Sequence, residues 1–134
     1  MSNTPNFAIT PDAQWTSLTA ANNTYTGTGT VGTAYVAPTG GAYLSMVRIK
    51  PLGTNVASVA RIFLNNGGDN NTAANNTLLG EVTLPATTAS ATAALTELAY
   101  PLNFPVPAGY KIIVVLGTAV AAGWEFTVHA GGFQ

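Results

Sequence analysis

Cysteine is absent from this chain, so neither a disulfide nor a thiolate metal site can hold it together, and stability has to come from packing and association. Charge is scarce as well. Four Lys or Arg and five Asp or Glu occur among 134 residues, 7% of the chain, where about 25% is usual. A domain of this mass has roughly 6,600 Å² of accessible surface, so each charged side chain serves about 700 Å². An ordinary free monomer carries far more, and a net charge of −1 gives little repulsion between copies. Much of the surface is therefore expected to face other protein. Long apolar runs are missing too. Nothing approaches the roughly 18 residues of a spanning helix, and no basic stretch followed by an apolar one opens the chain, so neither a membrane partner nor a secretory leader is expected.

The same shortages exclude most chemistry. Arg48, Lys50, Arg61 and Lys111 are set against five acids, which leaves no basic track for nucleic acid. His129 is the lone histidine, so one chain cannot build a three-His zinc site. A Ser-His-acid triad would have to pair His129 with Asp12, Asp69, Glu81, Glu97 or Glu125, and no Gly-x-Ser-x-Gly elbow presents a serine. Paired carboxylates for glycoside hydrolysis would need two of those five acids in one cleft, and their positions do not suggest it. The reading is non-enzymatic, with no catalytic residue, no metal ligand and no cofactor.

What the chain does have is β-type runs punctuated by turn residues. Pro5 and Pro11 amid small polar residues favour an extended N-terminal arm over residues 1–13, ahead of a single domain spanning 14–134. QWTSLTA reads as a strand, and TYTGTGTVGTAYVAP as strands broken by Gly27, Gly29 and Gly32. AYLSMVRIK and VASVARIFLN, joined by PLGTN, read as a hairpin. In the second of these, Val56, Ser58, Ala60, Ile62 and Leu64 alternate with Ala57, Val59, Arg61 and Phe63, so both faces are largely apolar and one is open to a partner. LLGEVTLP follows, then TTASATAALT as a loop. ELAYPLNF is an edge strand or a bulged one, because Pro101 lacks a ladder donor. YKIIVVLG and WEFTVHA complete the set, the latter with Trp124, Phe126 and Val128 on one face and Glu125, Thr127 and His129 on the other. About eight short strands and no convincing helix give an all-β antiparallel sandwich, jelly-roll-like.

Between two of these strands lies NNGGDNNTAANN, residues 65–76. A calcium loop needs several oxygen ligands at alternating positions and a closing carboxylate. This tract offers one acid, Asp69, and has Ala73 where a ligand belongs, so it reads as a solvated turn whose Asn and Gly serve backbone shape. GTGTVG, residues 27–32, lacks the Lys and the helix of a phosphate loop. Trp15, Tyr25, Tyr35, Tyr43 and Trp124 are available as a sugar platform and are more simply core or interface.

RIKPLGTNVASVARIFLNNG (48–67), LLGEVTLPATTAS (78–90) and LNFPVPAGYKIIVVLGTAVAAGW (102–124) together resemble the small, charge-poor β-sandwich virion proteins of tailed bacteriophages. The likeness spans the last two thirds of the chain and rests on strand and turn patterns, so it carries over no site residue. It implies a capsid decoration (cement) protein, made in the host cytoplasm and seated on the outer head surface. Its implied partners are the major capsid protein and its own copies, with a trimer favoured. The alternative is a carbohydrate- or receptor-binding module of a head or tail fibre, with the Asn-rich loop and the aromatics as its contact surface.

Overall fold

The computed structural model describes Phe7 and residues 10–133. They form eight strands and no α-helix: β1 (Thr10–Leu18), β2 (Gly32–Val36), β3 (Ala42–Pro51), β4 (Ser58–Asn65), β5 (Asn76–Leu84), β6 (Leu98–Val106), β7 (Lys111–Leu116) and β8 (Trp124–Gly132). Two antiparallel four-stranded sheets result, one ordered β1-β8-β3-β6 and the other β2-β7-β4-β5. Apart from the β4–β5 hairpin, successive strands pass back and forth between the sheets, which is the jelly-roll topology. The β3–β4, β5–β6 and β7–β8 loops therefore gather at one end, and the β2–β3, β4–β5 and β6–β7 loops at the other.

Period-two alternation explains the core. Leu44, Val47 and Ile49 of β3 and Trp124, Phe126 and Val128 of β8 point inward to meet Ala60 and Ile62 of β4 and Ile112, Val114 and Leu116 of β7. Each of these larger side chains contributes about 1.5–3 kcal/mol by leaving water. On the open flank between β5 and β6, the Tyr100 hydroxyl donates to the Leu79 carbonyl at 2.8 Å and ties the sheets together. Gly80 makes room for it, since an added Cβ would collide with that hydroxyl.

Four expectations need correction. PLGTN is not a hairpin turn: β3 and β4 belong to different sheets, and the link crosses between them because β3 pairs with β6 and β8 while β4 pairs with β5 and β7. The Gly-rich stretch supplies only β2, since residues 22–31 form a loop fixed by side-chain amides instead of a ladder. Residues 10–13, expected in the arm, pair with β8, and Pro11 is tolerated opposite Gly131 because β1 is an edge strand. The rest of that arm, Phe7 apart, lies outside the described residues.

The fourth correction concerns the second apolar face of β4 and β7. Phe63, Ile113 and Val115 point away from the core yet are buried, because the β1–β2 connection folds back over them and packs Val31 against them. This strap is pinned along its length. Asn22 N–H donates to the Leu116 carbonyl at 2.8 Å. Arg61, 5% exposed, pairs with Glu81 at 3.2 Å, donates to the Asn23 amide oxygen and lies 3.8 Å from the centre of the Tyr25 ring. The face expected to await a partner is covered by the chain itself.

The sheet edges carry guards of their own. β6 carries Pro101 and Pro105, and β2 is short and bulged. Gln14 of β1 acts as a substitute strand for β2: its amide accepts from Val36 N–H and donates to Val36 C=O, both at 3.0 Å. Beside it the buried Tyr35 hydroxyl donates to Asp12 Oδ2 at 2.7 Å.

Burial, then the Asp12 hydrogen bond and charge, hold the Tyr35 phenol well above the usual tyrosine range. The folded state thus prefers neutral Tyr35. Its contribution to stability is complete below the ordinary tyrosine pKa of about 10 and is lost as pH climbs from there toward the folded value. Alkaline titration followed by ultraviolet absorbance should show one of the five tyrosines ionising only as the fold is lost. Tyr35→Phe should remove that part of the alkaline destabilisation, and an unchanged alkaline unfolding curve would refute the assignment.

Candidate functional surfaces

The Asn-rich β4–β5 loop is a piece of scaffolding. Asn70 Nδ2 donates to the carbonyls of Gly27 and Gly29 at 3.1 and 2.8 Å, Asn71 Oδ1 accepts from Gly29 N–H at 3.0 Å, and Asn76 Nδ2 donates to Thr26 C=O at 3.0 Å. Asn22 closes the strap on itself by donating to Thr28 and Thr30 carbonyls. Asp69 accepts from Asn71 N–H at 2.9 Å within its own turn. The amides of Asn70, Asn71 and Asn76 thus hold the strap down, while those of Asn65, Asn66 and Asn75 bond within the loop itself. Among the described residues no three His, Cys, Asp or Glu side chains converge.

The end formed by the β3–β4, β5–β6 and β7–β8 loops is a different kind of surface. Residues 52–57, 85–96 and 117–123 include no Asp, Glu, Lys, Arg or His; the last residue of the β5–β6 loop, Glu97, pairs with Arg48 of β3, and Leu52 and Val56 are exposed, Val56 at 58%. Loops this long without charge would ordinarily be mobile. Here they are joined to one another. Asn55, 4% exposed, accepts from Ala122 N–H and Gly123 N–H at 2.9 and 2.8 Å and donates to Gly123 C=O at 3.0 Å. Its backbone exchanges hydrogen bonds with Thr87 in the next loop, whose hydroxyl donates to Gly53 C=O at 2.7 Å. Ser58 bonds both the N–H and the C=O of Thr118. The result is a pre-ordered, uncharged platform.

The outward face of the β1-β8-β3-β6 sheet is the polar counterpart. Cross-strand register sets it out in rows: Ala13, His129, Met46 and Pro101; Trp15, Thr127, Arg48 and Ala99; then Ser17, Glu125 and Lys50, with Glu97 just beyond the start of β6. Four of the nine charged side chains and the one histidine share this face. Arg48 pairs with Glu97. That hydrogen bond, with the attraction behind it, holds the Glu97 carboxyl below the usual carboxylate range. A glycosidase acid needs the opposite displacement. Trp15 stands 64% exposed, whereas Trp124 and Tyr35 are fully buried. Shallow recesses of about 350, 400 and 450 Å³ all border His129.

Neither the platform nor its hub was visible in the sequence, where Asn55 looks like any other turn asparagine; only the charge-free loops were a signal. Compared with known proteins, the chain matches no family model, no curated protein and no solved structure.

Proposed function

We propose that this protein is a non-enzymatic structural component of a tailed-phage virion, a decoration protein that docks end-on to the head shell and associates with its own copies, as a trimer. The observation that carries this reading is the charge-free platform at the end of the jelly roll. A surface held rigid by Asn55, Thr87 and Ser58 loses little conformational entropy on docking, and with Glu97 at its border already paired with Arg48 it has few charges to desolvate. The jelly roll itself is used by viral capsid proteins, and by lectins too, so topology supports the reading without deciding it. Many weak copies on a repeating lattice would hold a shell closed by avidity.

Purified protein should cosediment with heads that lack it, and light scattering should give a closed oligomer in solution. Val56→Glu, which buries a charge in the docked state, should reduce head occupancy at least tenfold while leaving the melting temperature unchanged. Equal occupancy by the variant would remove the platform from the interface, and no cosedimentation of the parent protein would end the decoration reading.

A further inference from the structure

From the outward face of the β1-β8-β3-β6 sheet, we infer that the molecule carries a binding groove for a neutral oligosaccharide, with Trp15 as its stacking platform. The inference goes beyond the decoration reading and stands without it, because the groove runs along the flank of the sandwich and the platform closes its end.

Position is the first argument. Thr127 lies directly between Trp15 and Arg48 in register, so the indole and the guanidinium start from backbones about 10 Å apart, two inter-strand spacings. Glu125 and His129 flank Thr127 along β8, each about 7 Å away. A sugar ring laid over Thr127 is then within reach of an aromatic surface on one side and of donors and acceptors on the other. Continuity is the second argument. The three recesses each border His129 and are open, which suits a chain of rings better than a single enclosed small molecule; Trp15 lines none of them, and stands one strand from the recess bounded by Thr127, Arg48, Lys50 and Glu125.

Charge balance selects the ligand class. Arg48 and Lys50 are matched by Glu97 and Glu125 on the same face, and Arg48 is already paired with Glu97, so a polyanion gains no net attraction. An extended peptide finds no edge, since the ladder on both sides of β8 and β3 is complete. Ligand hydroxyls both donate and accept: they can donate to the Glu125 carboxylate and accept from Lys50 and Arg48, while the apolar ring face covers Trp15. The Asn-rich loop takes no part, because its amides are engaged with the strap and within the loop.

The test is native electrophoresis of the whole chain through gels containing dextran, mannan, galactomannan or laminarin, with heparin as the anionic comparison. Acrylamide quenching of tryptophan fluorescence adds a local readout, since Trp15 is exposed and Trp124 is not. Retardation by at least one neutral polysaccharide is expected, with Trp15 protected from quencher by the same sugar. Trp15→Ala should weaken that binding by about tenfold or more, and Glu125→Gln should weaken it several-fold, both with unaltered melting. Three results would each overturn the inference: no retardation in any neutral gel, retardation by heparin alone, or equal retardation of Trp15→Ala. None of these results bears on head occupancy, which reads the decoration proposal separately.

Discussion

Asn55→Ala should cost the protein about 3 kcal/mol of unfolding free energy, a large loss for one exchange of a polar side chain. The side chain satisfies Ala122 N–H, Gly123 N–H and Gly123 C=O at 2.8–3.0 Å from a site 4% exposed. Truncation leaves these groups without partners and opens a void too confined for easy rehydration, and each buried orphan costs about 1–3 kcal/mol. For a domain of this length the melting temperature should drop by roughly 10 °C. Asn55→Asp keeps the acceptor but sets a buried carboxylate against the Gly53 and Gly123 carbonyls, so it should be at least as destabilising at neutral pH. Calorimetry on the purified variants decides the matter: a change below about 0.5 kcal/mol, the range of ordinary surface substitutions, would mean that the three loops are not joined through this residue. Because the platform depends on the same bonds, head occupancy by Asn55→Ala should weaken even at temperatures where the protein is folded.

Phe63→Ala should cost a similar amount, about 3–4 kcal/mol, although Phe63 points away from the main core. Its ring is fully buried under the strap with Ile113 and Val115, so removing it creates a cavity within one chain. A partner-covered face makes the opposite forecast. In that case the isolated monomer would gain or stay level on losing an exposed phenylalanine, and the loss would show in the oligomer's mass. Chemical denaturation and light scattering on the same samples separate the two: a destabilised protein with unchanged mass is expected, and a full-stability monomer would return this face to the partner. The m-value should stay constant, since the variant unfolds the same surface.

The sandwich was legible because its strands obey a period of two. Trp124, Phe126 and Val128 against Glu125, Thr127 and His129 is a pattern that only one buried face explains, and the structure places both sets as the alternation requires. Less was legible where a strand is apolar on both sides. In β4 and β7 the sequence shows that Phe63, Ile113 and Val115 need cover, but not what supplies it, since a strap of Thr, Asn and Gly has no apolar period of its own. The strap is held by asparagine amides and by Arg61, contacts between residues as far apart as Gly29 and Asn71, and no local rule links such positions. Sheet assignment was hidden for the same reason. PLGTN has hairpin composition, yet the strands it joins pair in different sheets, β3 with β6 and β8, β4 with β5 and β7. The candidate surfaces were legible only as a deficit of charge; that four of the nine charges share one sheet face is a consequence of register.

The place of β8 has a bearing on how the protein is made. It is synthesised after the other seven described strands, yet it lies in the interior of its sheet, between β1 and β3, pairing with one from Thr10 to Leu18 and with the other from Ala42 to Pro51. Until residues 124–132 are synthesised, β1 has no neighbour in its sheet and one side of β3 is open. Every earlier intermediate therefore displays unpaired strand edges at a stage when many chains are being translated together, and closure has to wait for contacts of long sequence separation. A chain cut short before Trp124 lacks the strand that joins β1 to β3, so it should fail to close its first sheet and be cut readily in limited proteolysis.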